Sequence, residues 1–119
     1  MSVELFIAGV LSVFFIFASS IKLLGWQKTI FEIQLAFFHK YGLNRSLMAL
    51  VGVIELFGAT ALWLPGYFAV LGALAIFITS LGAVCCHLYF DTWKDGIPAM
   101  VTLTLSGILI NAEYINLSL

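Results

Sequence analysis

The chain has 119 residues, of which 63% are hydrophobic and 9% charged, against roughly a quarter charged in soluble domains. A chain this short buries only about two thirds of its surface in water, so much of this apolar side chain needs lipid as its solvent. Five Lys+Arg and a net charge of −1 offer no basic surface, which sets nucleic-acid binding aside.

The composition and length predict a single transmembrane domain, all-α, with four spans of about 20 residues each. The first span runs from Val3 to Leu24. Between Leu5 and Phe17 its only polar side chain is Ser12, so it lacks the polar face of a soluble helix. It also lacks the basic start and small-residue cleavage site of a signal peptide. Residues 26–41 then carry Trp26, Ile30, Ile33, Phe37 and Tyr41 at spacings of three and four, with Gln27, Lys28, Glu32 and Lys40 between them. This pattern predicts an amphipathic helix at the membrane surface or packed over the bundle mouth, ended by Gly42.

The second span, Ser46 to Leu64, is closed by Pro65-Gly66, because proline cannot continue a helix and glycine accepts a left-handed turn. So short a link makes spans two and three an antiparallel hairpin. The third span is Tyr67 to Leu88. Its adjacent Cys85 and Cys86 read as small buried hydrophobes, since neighbouring thiols on one helix point apart. Asp91 to Gly96 is a polar link with Asp95 as a cap, and the fourth span, Ile97 to Ile115, takes Pro98 in its first turn.

Lys22, Lys28, Lys40, Arg45 and Lys94 all fall at or beside the first and third connections. By the positive-inside rule those connections face the cytoplasm and both termini face outward. Trp63, Tyr67 and Tyr114 then match an outer aromatic belt, and Trp26, Tyr89 and Trp93 an inner one. Gly52 and Gly58 in span two, with Ala69, Ala73 and Gly82 in span three, are small enough for close helix approach. They serve either to close the bundle or to join it to a second copy or another membrane protein.

Polar residues inside the spans are the informative ones. Glu55 lies roughly 13–14 Å into span two by helical rise, near the midplane, where a charge must be received by protein, water or a partner. Lys22, near the inner end of span one, either reaches up to Glu55 or snorkels to the headgroups. His87 lies at the inner end of span three, as an interfacial residue or as a proton carrier beside the carboxylate. Ser19 and Ser20, one turn above Lys22, bond to it or to their own backbone. Lys22, Glu55 and His87 thus define a polar cluster, read either as a ligand or proton-handling pocket or as a network holding the bundle in register. Asn111 and Glu113 fall too far along span four to join it. Two histidines without paired spacing do not suggest a metal, and no phosphate loop, nucleophile elbow or haem motif is present.

Three segments carry a resemblance: Ala18-Ser19-Ser20-Ile21-Lys22-Leu23, then Gly52-Val53-Ile54-Glu55-Leu56-Phe57-Gly58 with Pro65, then Gly82-Ala83 leading to His87. In this order they resemble the DoxX-like family of small four-helix membrane proteins. The resemblance implies a four-helix fold and identifies Lys22, Glu55 and His87 as the shared Lys, Glu and His. Its functional implications are mixed: quinone-linked oxidoreductase subunits, partners of methylamine-oxidation enzymes, or an assembly factor for ligand-gated channels. The chain lacks the usable cysteine pair or cofactor motif of a redox partner. The leading expectation is therefore a membrane protein, not independently catalytic, that holds an apolar small molecule or partner helix at the Lys-Glu-His cluster. A quinone-linked oxidoreductase subunit and an assembly factor for other membrane proteins are the alternatives.

Overall fold

The computed structural model describes residues 3–64 and 66–118, with side chains through residue 115. Five helices form among the described residues: α1 (Val3–Leu24), α2 (Lys28–Lys40), α3 (Arg45–Ala61), α4 (Tyr67–Phe90) and α5 (Ile97–Ser118). Helices cover the stretches expected as four spans and the short intervening helix, and the longest dimension, 44 Å, matches a bilayer with its headgroups. Helices α1, α4 and α5 are each long and apolar enough to cross on their own. Helix α3 has 17 residues, or ~25 Å by rise. Tighter i→i+3 bonds from Trp63 and Leu64 to Thr60 and Ala61 extend it to the expected end of the span. The turn expected at Pro65-Gly66 is only partly described: Pro65 lies outside the described residues, while Gly66 takes a φ of 67°, open to glycine without strain.

The helices pack in a ring in the order α1, α3, α4, α5, with α5 returning to α1. Each contact is antiparallel. Ser12 near the start of α1 bonds to the Ala59 carbonyl near the end of α3, and Ser80 meets Thr102 at 2.7 Å between α4 and α5. The α3–α4 crossing is the tightest. A Cβ added at Gly72 would lie 2.8 Å from the Gly58 carbonyl oxygen, and one at Gly58 would lie 2.9 Å from Ile76. Ala69 and Ala73 are buried on the same side of α4, so small side chains let these backbones touch. Gly82 departs from the expectation: a Cβ there would meet nothing within 4 Å, because α4 has diverged from α3 by that turn.

The core is apolar, built from Leu11, Phe15, Ile76 and Leu109 with their neighbours. The outer surface is apolar too, with Phe6 and Val13 65% and 73% exposed; in water this would be prohibitive, and in lipid it is the solvated face. Cys85, expected to be buried, is on that outer face, while Cys86 is half-buried; both thiols are free. Adjacent positions on a helix are about 100° apart, so one of the pair necessarily turns outward.

Helix α2 folds across the end of the bundle, bent by 113° from α3. Gln27 caps its start by accepting from the Ile30 N–H, and Asn44 caps α3 through the Leu47 N–H. Arg45 donates to the Leu23 carbonyl and lies over the Phe31 ring, binding the two helix ends together. The inward stripe of α2 is Phe31, Gln34, Phe37, Phe38 and Tyr41, all half-buried, whereas Ile33 is exposed. Of the expected stripe, Ile30, Phe37 and Tyr41 are half-buried and Trp26 and Ile33 exposed; the inward face is broader than expected, which brings a polar residue, Gln34, inside. In the 91–96 link, Asp95 accepts from the Thr92 hydroxyl rather than capping α5, whose first residue follows Gly96.

Candidate functional site

Gly52 sets the site's geometry. Its missing side chain lets the Lys22 Cβ come within 3.1 Å of where a Cβ would stand, drawing the end of α1 onto the start of α3. From there Lys22 extends one turn toward the membrane centre, and its Nζ lies 2.9 Å from Glu55 Oε1, with both side chains under 10% exposed. Of the two courses open to Lys22, the structure takes the inward one. Lys22 is the only donor the described residues bring to Oε1.

His87 comes to the same cavity but binds different partners. Its Nδ1 lies 3.0 Å from Tyr41 Oη and 3.1 Å from Asp91 Oδ2. The Tyr41 hydroxyl donates its only proton to Asp91 Oδ2 at 2.7 Å, so Nδ1 must be the donor in this triangle and Nε2 is the nitrogen left open. Asp91 also pairs with Lys40. That ammonium's hydrogen bond, then those of Tyr41 and His87, hold the Asp91 carboxyl below the usual carboxylate range. Burial and the bond to Asp91 push the Tyr41 phenol above its ordinary value. A Lys40–Asp91–Tyr41–His87 network thus ties the end of α2 to the end of α4. The sequence held a clue to it: Asp91 follows His87 by four residues, which puts both on one helical face.

Ser19 and Ser20 bond to the carbonyls of Ile16 and Phe17 in their own helix; Ser20 also accepts from Trp26 Nε1. Neither bonds to Lys22.

Between these groups lies a cavity of two lobes. The larger, about 440 Å³, lies among α2, α3 and α4 and includes Lys22, Ile54, Ile78 and Cys86 in its wall. The smaller, about 260 Å³, runs between α1, α4 and α5 past Phe15 and Thr102. Gln34, Phe37, Glu55, Thr79, Ala83 and His87 line both. Gly82 forms part of the larger lobe's wall, where the separation of α3 and α4 opens the space. A wider hollow of about 740 Å³ follows the outer face of α1, but its lining of Leu, Phe, Val and Gly offers nothing to orient a ligand; it is lipid-facing relief. Gln34 Oε1 is buried without a hydrogen bond. Gln34 lies between Ile33 and Phe37 of the expected stripe, and spacing alone gives no sign that it turns inward.

An ion pair, an amide and an imidazole thus line a mainly apolar cavity. No curated protein and no solved structure gave a significant match to the chain. The family model for the DoxX-like family matches residues 6–109, a stretch that contains Lys22, Glu55 and His87 and all but the ends of the ring. The chain belongs to the DoxX-like family of membrane proteins.

Proposed function

We propose that this protein holds an apolar small molecule in the two-lobed cavity, with the molecule's polar end at the Lys22–Glu55 pair, and that it is not by itself a catalyst. The observation that carries this reading is a buried ion pair at the edge of a mainly apolar cavity. The lobes fall within or just below the ~300–1,000 Å³ of small-molecule sites, and a few polar groups among apolar walls is the composition of such sites. An α-helix, about 10–12 Å across with its side chains, is too thick for either lobe, which favours a small molecule over a partner helix. Lys22 and Glu55 neutralise each other, so neither is a free acid or base.

The open Nε2 of His87, backed by Tyr41 and Asp91, favours one second reading. In it the occupant is a quinone-like substrate of a larger oxidoreductase, and the imidazole exchanges a proton with it. We further propose that the α2 side of the bundle faces the cytoplasm or its equivalent. Lys22 is spent on the ion pair, but Lys28, Lys40, Arg45 and Lys94 support this orientation.

Thermal unfolding of the purified protein with added lipids, quinones and sterols tests the binding reading. Stabilisation is expected in the wild type and its loss in Glu55→Gln. The single change leaves a buried ammonium unpaired, so Lys22→Met/Glu55→Gln is the control that restores the fold without the site. Absence of stabilisation by every compound in the wild type would rule the pocket out.

A further inference from the structure

The cavity holds unmet hydrogen-bonding capacity, and its sign describes the occupant. Glu55 Oε1 and Gln34 Oε1 are both buried; the carboxylate, with several lone pairs, meets only Lys22, and the amide oxygen accepts nothing from the described residues. Both residues line both lobes. His87 lines both as well and, in its neutral form with the proton on Nδ1, presents Nε2 as a third acceptor. Thr79, the other polar residue shared by the lobes, donates its hydroxyl to the Ile76 carbonyl and has no proton to give. Lys22 is the one strong donor at this point, and its charge is already set against Glu55. Buried acceptors without donors are costly, and acyl chains cannot supply the missing protons.

We infer that the occupant ends in a hydroxyl: it is an apolar alcohol or alkyl phenol whose O–H donates to Glu55 and whose oxygen accepts from Gln34 or Lys22. The inference rests on the small-molecule reading above and narrows it. A hydroxyl suits Gln34 whichever way its amide is turned, because the amide then offers one donor or one acceptor and the hydroxyl answers both. An ether or ketone can only accept, so it adds no donor for the carboxylate's remaining lone pairs or for Gln34 Oε1. Gln34, Glu55 and His87 lie on the wall common to both lobes, so a single polar end there suffices, with the apolar body lying along Phe37, Ile54 and Ile78 in the larger lobe.

Titration of the full chain in lipid nanodiscs with 4-nonylphenol and with its methyl ether tests this, since the ether keeps the shape and the oxygen but not the donor. The phenol is expected to bind the wild type about tenfold or more tightly, and Gln34→Leu, at a half-buried position, should narrow that ratio. Equal affinities, or a tighter ether, would overturn the hydroxyl inference while leaving the cavity a binding site. If neither probe binds, the small-molecule reading fails and takes this one with it. A ratio unchanged in Gln34→Leu would remove Gln34 from the site. The wild-type ratio decides the main point even where that variant folds poorly.

Discussion

At Gly52, Gly58 and Gly72 the missing side chain is what brings helices into contact, and the three serve two different purposes. Gly52 admits Lys22 to the face of α3 and so makes the ion pair geometrically available, while Gly58 and Gly72 let the backbones of α3 and α4 touch. Gly72→Ala would drive a Cβ to 2.8 Å from a carbonyl oxygen that cannot move aside. A loss of about 1–3 kcal/mol in unfolding free energy is expected. Gly82→Ala meets open space and should be neutral or stabilise by about 0.5–1 kcal/mol through the lower backbone entropy of alanine. Reversible unfolding in mixed micelles measures both, and equal effects at the two positions would refute the packing assigned to the α3–α4 crossing. The sequence shows that all four glycines are small, but not which ones face a neighbour.

The element whose position matters most is α2. It has no buried residue of its own, yet Gln34 and Phe37 form part of both lobes, so the cavity is complete only while α2 stays in place. Its C-terminal end is held by Asp91 through Lys40, Tyr41 and His87. Asp91→Asn removes the charge that receives these bonds and should speed hydrogen exchange of the α2 amides by several-fold, with α4 little changed; unchanged exchange would show that apolar contacts alone hold α2. The same latch predicts a pH window. Asp91 is held below its ordinary value, so its contribution is present above about pH 4 and is lost as pH falls through the lowered native value. Tyr41 is raised, so its contribution is full below about pH 10 and is lost as pH rises through the raised value. Protection of the α2 amides, corrected for the intrinsic pH dependence of exchange, should therefore be greatest at intermediate pH and fall at both extremes. That α2 exists, and that Ile30, Phe37 and Tyr41 turn inward, was legible from three-and-four spacing, but the exchange of Ile33 for Gln34 on the inner face was not. Ile33 and Gln34 differ by about 100° around the axis, and an aromatic-rich stripe fits either setting until the bundle mouth beneath it is known.

On the scale of the whole molecule, the proposed orientation has a direct test. In a background without Cys85 and Cys86, Tyr67→Cys should react with an impermeant maleimide on intact cells, and Lys94→Cys only after permeabilisation; the reverse pattern would invert the protein in the membrane. Which segments cross the bilayer was determined by the sequence alone, because transfer of a side chain from water to lipid depends on the residue and its near neighbours and on little else. The prominence of Lys22, Glu55 and His87 was legible for the same reason, since a charge or imidazole within an apolar run is costly wherever the helix packs. How these residues are partnered was decided only by the tertiary structure. The bonds of His87 to Tyr41 and of Tyr41 to Asp91 join residues 46 and 50 positions apart, and they arise from the angle at which α2 crosses the end of α4. That angle depends on contacts among all the packed helices at once, which no local pattern of residues encodes.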